Sequence, residues 1–395
     1  NGGLFINTTD GGSSWSAEDD IPTFFSFADI YMEDSNTGWA VGGQGKIYKY
    51  SDTTAPTVTS VSSTADNGTY GIGSVIPITV TFSESVTVTG TPQLTLETGD
   101  TDVVVDYSSG SGSSILTFNY TVASGHTSGD LDYGSTSALA LNSGTIKDAV
   151  GNAATLTLPN VVGDNNSLGE NKNIVIDGIN PVISSTSPSE NSRVNHTKVS
   201  YTLSEAVSSG TITWTRTGGT EDSNSPQAKA LAGTELNSGA HTDIALTNNP
   251  TLVDGAIYTV SFDAVDLAGN SATTVSTRGV TYDVTKPTIT PPREGATTVD
   301  LDYQNSSKTL VISWSAGSDA SSGIEKYEYA LGITAGGDET VSWTSTETDT
   351  SVTLNSTLTN ATTYYAVLRA TDKAGNVSDH SVGDGITIDL SLIHI

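Results

Sequence analysis

Two short motifs recur along this chain at a constant spacing, and that spacing limits the fold more than any other feature. One has the pattern Asp-x-Ala-Gly-Asn, or a close variant, and begins at Asp148, Asp266 and Asp372. The other has the pattern Asp-x-x-x-Pro and begins at Asp52, Asp177 and Asp283. Both motifs advance by 106 residues between their second and third copies (372 − 266 and 283 − 177). Two landmarks in register over that distance indicate tandem structural modules.

The Asp-x-x-x-Pro motifs mark linkers, so we predict three modules, at residues 53–177, 178–283 and 284–389. The first linker-to-linker distance is 19 residues longer than the others (125 − 106), which indicates a different subtype there. Residues 1–52 form a separate segment. Residues 390–395, Leu-Ser-Leu-Ile-His-Ile, match the translation of a transposon end used to prepare sequencing libraries. We expect them to be a scar and the chain to be an internal fragment.

Apolar and polar residues alternate within each module, which is the period of a strand with one buried face. The clearest runs are Ile76–Phe82, Leu116–Val122, Val199–Leu203, Tyr258–Ala264, Leu310–Trp314 and Tyr364–Ala370. Clusters of Gly, Asn, Asp and Ser separate these runs, and no helical periodicity of useful length is found. About 100 residues of short strands with turn signals predict one β-sandwich per module, and therefore an all-β chain.

The composition excludes several classes of function. The chain has 15 Lys and Arg against 44 Asp and Glu, a formal net charge of −29, whereas phosphate binding needs clustered basic residues. Nucleic acid and anionic membrane surfaces are therefore not expected partners. The absence of cysteine excludes disulfides, thiolate metal sites and a cysteine nucleophile. No apolar run approaches the roughly 18 residues of a membrane-spanning helix.

The sequence contains no arrangement of residues that points to catalysis. The histidines outside the terminal scar are far apart and lack the spacing of a zinc motif: His126, His196, His241 and His380. No nucleophile elbow or phosphate-binding loop is present. We therefore expect this part of the protein not to be an enzyme.

The third module resembles a fibronectin type III domain. Residues 358–370 have the pattern Leu-x-x-x-Thr-x-Tyr-x-Ala-x-Leu-x-Ala, which is similar to the strand-F region of these and related Ig-like sandwiches. The resemblance implies that Tyr364 is the residue of a tyrosine corner. Tyr258 has the same six-residue offset from Leu252 (258 − 252), so the second module is expected to share this feature.

Residues 1–52 resemble a different family. The segment Thr8-Thr-Asp10-Gly-Gly-Ser-Ser-Trp15 is similar to the Asp-box of β-propellers, and Gly38–Asp52 looks like the strand that opens the next repeat. The 42 residues from Asp10 to Asp52 (52 − 10) fall in the range of roughly 40–50 for a propeller blade. The resemblance implies the last blade of a BNR-type propeller similar to photosystem II assembly factors. In that family the Asp-box is structural: Asp10 would hold the turn, and Trp15 would pack between sheets.

Each module has an acidic residue at three positions that should meet at one pole of an Ig-like sandwich: the incoming linker, the B–C loop and the F–G turn. We expect Glu84 to follow a strand that ends at Phe82. The nine acids, by module, are Asp52, Glu84 and Asp148; Asp177, Glu205 and Asp266; and Asp283, Asp319 and Asp372.

Two explanations of these acids stay open. Oxygen ligands that converge at a domain junction suit Ca²⁺, and the resemblance to cadherin-like and bacterial Ig-like surface proteins implies such junctions. The other explanation is turn chemistry alone. In that case each Asp accepts local N–H groups, while Gly or Asn supplies a positive φ.

The first module, with Thr81-Phe-Ser-Glu84 and its Asp148 turn, resembles the bacterial Ig-like repeats of large surface proteins and adhesins. The resemblances imply an extracellular bacterial surface or secreted protein, in which these modules form a stalk for an unidentified protein or carbohydrate ligand. One alternative is a set of accessory spacer or carbohydrate-binding modules of a secreted enzyme, and another is recognition by the propeller itself. Exposed aromatic rows would favour sugar binding. Trp343 is the one tryptophan that is not assigned to a core or to the blade.

Overall fold

The regular secondary structure of the computed structural model is almost entirely β-strand. It describes residues 6–7, 16–17, 27–32, 37–42, 47–161, 163, 166–295 and 298–391. The chain divides into two compact units, Asn1–Ile179 and Asn180–Ile395. Within the described ranges, the α-helix α1 (Leu168–Asn171) is a single turn, and no helix has the length and apolar character needed to cross a membrane.

The N-terminal segment contains short strands that pair with their neighbours in sequence. These strands are β1 (Ile6–Asn7), β2 (Ser16–Ala17), β3 (Phe27–Met32), β4 (Thr37–Gly42) and β5 (Ile47–Ser51). β1 pairs with β2, and β3, β4 and β5 form a three-stranded antiparallel sheet. Asp10 and Trp15 fall between β1 and β2, outside the described residues, so the blade stays a prediction.

The first sandwich lies in the first unit and has two sheets around one apolar core. Its strands are β6 (Val58–Ser63), β7 (Gly68–Tyr70), β8 (Val75–Thr89), β9 (Gln93–Leu96), β10 (Val103–Ser109), β11 (Ser113–Thr121), β12 (Thr127–Ser128), β13 (Leu139–Ala140), β14 (Thr145–Lys147) and β15 (Ile174–Asp177). The larger sheet has the order β13-β9-β10-β11-β8-β14, with β6 also on β8. The smaller sheet has the order β12-β15-β7.

The second sandwich begins the second unit. Its strands are β16 (Ile183–Ser187), β17 (Arg193–Val194), β18 (Val199–Leu203), β19 (Val207–Gly219), β20 (Gln227–Ala230), β21 (Gly239–Ile244), β22 (Ala256–Asp266) and β23 (Val275–Tyr282), with a 3₁₀ turn at Gly233–Leu236. One sheet has the order β16-β18-β21 and the other β17-β23-β22-β19-β20.

The third sandwich completes the second unit. Its strands are β24 (Arg293–Glu294), β25 (Tyr303–Gln304), β26 (Thr309–Ser313), β27 (Ile324–Gly332), β28 (Val341–Glu347), β29 (Ser351–Asn355), β30 (Thr363–Asp372), β31 (Ser381–Val382) and β32 (Ile386–Ile388). One sheet has the order β24-β26-β29. The other has the order β25-β32-β30-β27-β28, with β31 also on β30.

The inward-facing residues of the alternating runs form the three cores. The apolar and aromatic members at every second position of the six runs are all buried, and Trp214 and Trp314 lie in the cores as well. Alternation places one side of each strand against the facing sheet, and burial of that side drives the two sheets together. The predicted all-β fold of tandem Ig-like β-sandwiches is confirmed.

The predicted end of one strand is wrong. β8 continues past Phe82 to Thr89, so Glu84 lies within the span of a strand. The pairing of β8 with β11 is irregular here, because Thr81 pairs with Ile115 whereas Val86 pairs with Ser113. The second half of β8 continues because it gains a new partner, β14. Glu84 therefore sits at a bulge, where a side chain can be re-aimed toward the end of the sheet.

Candidate metal centres

The Asp-x-Ala-Gly-Asn motif forms a five-residue turn that starts at the end of a strand. Asp372 ends β30, and its Oδ1 accepts the N–H groups of Ala374 at 2.9 Å and Asn376 at 2.8 Å. Its Oδ2 accepts the side-chain amide of Asn376 at 2.9 Å. Gly375 has a φ of 93°, a backbone conformation that glycine adopts without steric cost. The turn accounts for the Asp, the Gly and the Asn of the motif.

The other two copies of the motif are built in the same way. Asp148 Oδ1 accepts the N–H of Asn152 at 2.8 Å, and its Oδ2 accepts the Asn152 amide at 2.6 Å. Asp266 makes the same pair of bonds with Asn270, at 2.8 and 2.7 Å. An ionised carboxylate has about four lone-pair sites. Asp148 Oδ1 also accepts the N–H groups of Val150 and Gly151, at 3.0 and 2.6 Å. Oδ2 accepts a single bond in Asp148 and in Asp372, and so keeps a lone pair that a cation could use.

The linker acids form a second repeated turn. Oδ1 of each accepts the N–H of the residue two positions on: Asp52 from Thr54 at 2.8 Å, Asp177 from Ile179 at 3.1 Å, and Asp283 from Thr285 at 3.0 Å. This Asx-type turn is a common way for Asp to fix a change of chain direction. The turn itself uses only one of the two carboxylate oxygens.

In the first and third copies of the motif, the asparagine of the five-residue turn also holds the linker, a role that the sequence analysis missed. The Asn152 amide donates to the backbone carbonyl of Asp52 at 3.1 Å, and the Asn376 amide donates to that of Asp283 at 2.9 Å. An amide group carries two N–H donors, so one serves the turn and the other the linker. The recurrence of Asn in all three motifs is the sequence feature that could have indicated this role. It does not show which group accepts the second N–H of the side-chain amide.

At the first junction, the three predicted acids come together. Oxygen atoms of Asp52, Glu84 and Asp148 lie within 4.8 Å of one another. Asp148 is buried, and the other two are partly buried. Burial raises the pKa of Glu84, and the charges of Asp52 and Asp148 raise it as well. Ionising this cluster therefore costs free energy that a bound cation would offset.

The third junction repeats this arrangement with Asp283, Asp319 and Asp372, whose oxygens also lie within 4.8 Å of one another. Asp283 and Asp372 are fully buried. Oδ2 of Asp283 has no hydrogen-bond partner among the residues that the structure describes. Burial raises the pKa of Asp283, and the charges of Asp319 and Asp372 also act to raise it.

Asp319 is held differently from Asp283. Its Oδ1 accepts the N–H groups of Ser321 at 3.1 Å, Ser322 at 2.7 Å and Gly323 at 2.9 Å. Burial would raise its pKa, but these three hydrogen bonds outweigh burial and lower it. Asp319 is therefore an ionised carboxylate fixed in place beside a carboxyl group that resists ionisation.

The acids of the second predicted junction belong to different units. Asp177 is the last residue of β15 in the first unit. Glu205 lies between β18 and β19, and Asp266 ends β22, both in the second unit. A cation site shared by these three residues stays a prediction.

The two corner tyrosines are buried and accept backbone hydrogen bonds from upstream. The N–H of Val253 donates to the Tyr258 hydroxyl at 3.0 Å, and the N–H of Thr359 donates to that of Tyr364 at 2.9 Å. In both cases the donor is one residue after the leucine of the sequence pattern, Leu252 or Leu358. Tyr258 also donates to Oδ2 of Asp222 at 2.9 Å, a partner that the corner pattern does not specify.

The remaining candidate for sugar binding, Trp343, is not a free aromatic surface. The Arg369 guanidinium lies over its ring at 4.3 Å from the centroid, and the His380 ring lies 4.8 Å away. Arg369 is in turn bonded to Glu328. These contacts occupy ring surface that a sugar would need.

Comparison with known proteins identifies the repeated domain. A family model described as "Bacterial Ig-like domain" matches residues 52–161 and 177–282, more than half of the chain. Among curated proteins, Exoglucanase B of Cellulomonas fimi is 31% identical over 191 residues, which are 47% of this chain and 16% of that protein. The chain therefore spans about a sixth of the length of this relative.

Two solved structures are similar over most of the chain. The FN1–FN3 domains of chicken CNTN1 have 12% identity and a TM-score of 0.31, and the I67–I69 fragment of the titin I-band has 10% identity and a TM-score of 0.29. Each likeness covers 84% of this chain and 99% of the other.

Proposed function

Because this chain belongs to the bacterial Ig-like domain family, we propose that it is a non-catalytic structural segment of an extracellular bacterial protein, either surface-attached or secreted. Its sandwiches act as a stalk that projects or spaces an adhesive domain, and Ca²⁺ binds at the junction that precedes each sandwich. The net charge of −29 supports a role away from nucleic acid and anionic membranes.

The repeated acidic cluster is the observation that best supports this proposal. Two junctions, built from corresponding positions in different sandwiches, each bring three carboxylates within 4.8 Å. Ca²⁺ takes about 6–8 oxygen ligands in flexible geometry, which carboxylates, backbone carbonyls and water together supply. The buried Oδ2 of Asp283, which lacks a partner within the described part of the chain, adds support because a buried carboxylate oxygen needs a donor, a proton or a cation.

Bound Ca²⁺ contacts the same linker whose backbone carbonyl accepts the Asn376 amide. At the third junction, an ion shared by Asp283, Asp319 and Asp372 joins the linker to two loops of the third sandwich, and so restricts the hinge between the second and third sandwiches. Extracellular modules bind Ca²⁺ with a Kd of about 10⁻⁴–10⁻³ M. Such sites fill outside cells and stay empty in a resting cytosol.

Calorimetric titration of the full chain with Ca²⁺ tests the junction sites. We expect Glu84→Gln to weaken binding at the first junction and Asp283→Asn to weaken it at the third. At a free Ca²⁺ concentration one hundred times Kd, a site stabilises the folded state by about 2.7 kcal/mol. The thermal midpoint of the parent should therefore rise with Ca²⁺, and each variant should lose part of that rise.

Two controls separate site binding from charge screening. Asp338→Asn removes one exposed charge outside these clusters and should bind Ca²⁺ as the parent does. NaCl at matched ionic strength should give a smaller rise in the thermal midpoint, because it only screens repulsion. If the parent binds no Ca²⁺, or if Glu84→Gln and Asp283→Asn both behave like the parent, the junction acids do not bind Ca²⁺ and the aspartates among them serve only as turn residues.

The exoglucanase relative favours a second candidate function. In this case the sandwiches are accessory modules, either spacers or carbohydrate-binding units, of a secreted enzyme whose catalytic domain lies elsewhere. Co-sedimentation of the full chain with an insoluble glucan tests the carbohydrate-binding form. Saturable retention of the chain would favour this form, while the absence of retention would favour a spacer or stalk.

For residues 1–52 we propose a blade of a β-propeller. The supporting observations are the antiparallel pair β1 and β2 on either side of the Asp-box, and the antiparallel sheet of β3, β4 and β5. A blade buries its faces only against neighbouring blades. Limited proteolysis of the full chain should therefore cleave first within this segment. A cooperative thermal transition in a peptide of residues 1–52 would contradict the proposal.

A further inference from the structure

The first strand of the third sandwich changes sheets, and a buried glutamate lies where it does so. β24 pairs with β26 in one sheet, while β25 pairs with β32 in the other. Glu294 is the last residue of β24 and is 0% exposed. A fully buried glutamate is rare unless it has partners, so the surroundings of its carboxylate indicate its role.

One oxygen of this carboxylate accepts a backbone N–H in the opposite sheet, at a position where the neighbouring strand is interrupted. Oε1 of Glu294 accepts the N–H of Ala366 in β30 at 2.8 Å. The last strand of the sandwich is split beside this point into β31 and β32, which pair with β30 on either side of Ala366. Gly383, between these two strands, leaves room for the carboxylate, since a Cβ at that position would overlap it.

The other carboxylate oxygen of Glu294, Oε2, has a different environment. Oε2 of Glu294 is buried and has no hydrogen-bond partner among the described residues. Such an oxygen requires a proton, a donor or a cation, because transfer out of water without compensation is costly.

Two more carboxylates lie beside it. Asp300 and Asp384 each offer an oxygen, and together with Glu294 the three oxygens lie within 4.8 Å of one another. Both aspartates are exposed, so an ion can enter from solvent. Asp300 also accepts the backbone N–H of Glu294 at 2.8 Å, which holds it close to the buried group. Burial, together with the charges of Asp300 and Asp384, raises the pKa of Glu294 to about 7.

We propose that Glu294, Asp300 and Asp384 bind one Ca²⁺ ion, at a site inside the third sandwich that is separate from the junction sites. The ligands are all oxygen, which suits hard cations and disfavours metals that prefer nitrogen or sulfur. Two of the three carboxylates are on the surface and can adjust, which matches the long bonds and irregular geometry of Ca²⁺ better than the strict octahedron of Mg²⁺. The ion ties the sheet-switching first strand to the split last strand.

Calorimetric titration of the full chain with Ca²⁺ tests this site through a matched pair of variants. Asp384→Asn removes an exposed ligand and leaves the buried bond between Glu294 and Ala366 in place. Asp302→Asn removes the same charge from an exposed residue two positions after Asp300. We expect Asp384→Asn to lose one bound Ca²⁺ per chain, or to bind it at least tenfold more weakly, and Asp302→Asn to match the parent.

A second variant excludes the simplest alternative, in which a proton alone satisfies Oε2. Glu294→Gln keeps an acceptor for the Ala366 N–H and removes the charge, and it should lose the same Ca²⁺ ion. The proposal is overturned if Asp384→Asn or a folded Glu294→Gln binds Ca²⁺ as the parent does. It is also overturned if Asp302→Asn loses as much binding as Asp384→Asn. Junction sites respond instead to Glu84→Gln and Asp283→Asn, so failure of the two proposals is distinguishable.

Discussion

Single residues show how this protein accommodates buried carboxylates. Asp319 and Asp372 are stabilised by several N–H donors each, and the pKa of Asp319 is lowered in spite of burial. Asp283 and Glu294 each keep one buried oxygen without a partner among the described residues, and burial raises the pKa of both. Hydrogen bonds to the charged form favour ionisation, whereas desolvation opposes it. Asp283 and Glu294 are therefore better evidence for bound cations than Asp319 and Asp372.

Removing one buried hydroxyl should measure the strength of the tyrosine corner. Tyr364→Phe removes the buried hydroxyl that accepts the N–H of Thr359. Because Thr359 is exposed, water can replace this acceptor, and the expected cost is the net contribution of one hydrogen bond, about 0.5–1.5 kcal/mol. We expect a lower denaturant midpoint for the third sandwich. Tyr365→Phe is the matched control, since that half-buried neighbour lies on the other face of β30 and should change stability much less. An unchanged midpoint in Tyr364→Phe would contradict the fibronectin-like alignment.

At the scale of elements, the five-residue turn connects secondary structure to the linker. In each copy, the N–H of the Asp donates to the carbonyl of the Asn four residues later, at 3.0–3.1 Å, and closes the loop. The glycines of the three turns have φ values of 106°, 93° and 93°. In the first and third sandwiches, the Asn amide then extends from this rigid turn to the linker carbonyl. The turn therefore holds the linker in place at the junction, in addition to connecting two strands.

The glycine of this turn can be tested without creating a steric clash. A Cβ on Gly269 would meet no atom within 4 Å, so Gly269→Ala changes only the cost of its φ of 93°. We expect a loss of about 1–2 kcal/mol in the stability of the second sandwich. Gly218→Ala in the same sandwich is the control, because that residue has an ordinary φ and only normal contacts. Equal stability of both variants would show that the turn tolerates a side chain.

At the scale of the whole molecule, stability comes from separate cores. The second and third sandwiches each enclose their own buried aromatic cluster, around Trp214 and Trp314. A net charge of −29 adds general repulsion that opposes compaction. Cations at acidic sites would therefore stabilise the chain both locally and by reducing this charge.

Separate cores predict that the second unit unfolds in more than one step. Scanning calorimetry of the full chain should resolve components whose summed enthalpy exceeds the van't Hoff enthalpy of any one of them. Gly269→Ala should shift the component of the second sandwich, and Tyr364→Phe that of the third. A single transition that both variants shift equally would mean that the two sandwiches unfold together.

The sequence alone determined the strand pattern and the positions of the acids. Alternation with period two identified the buried residues from Ile76 to Ala370, because a strand turns successive side chains to opposite faces whatever its partners are. The repeated motifs marked the linkers and turns. Knowledge of which loops share a pole of a sandwich then predicted that Asp52, Glu84 and Asp148 would meet, although β8 continues past the predicted end.

Tertiary structure decided which strands pair and which distant residues form hydrogen bonds, and local sequence patterns do not carry this information. β8 continues through Glu84 because β14 supplies a new partner, and the second N–H of Asn376 finds its acceptor 93 residues away. Glu294 gives no sequence signal at all, since its partner Ala366 is 72 residues distant and needs a glutamate only because the last strand is split. Sequence periodicity indicates on which face of a strand a side chain lies. Hydrogen-bond partners and charge clusters depend instead on which strands the fold brings together.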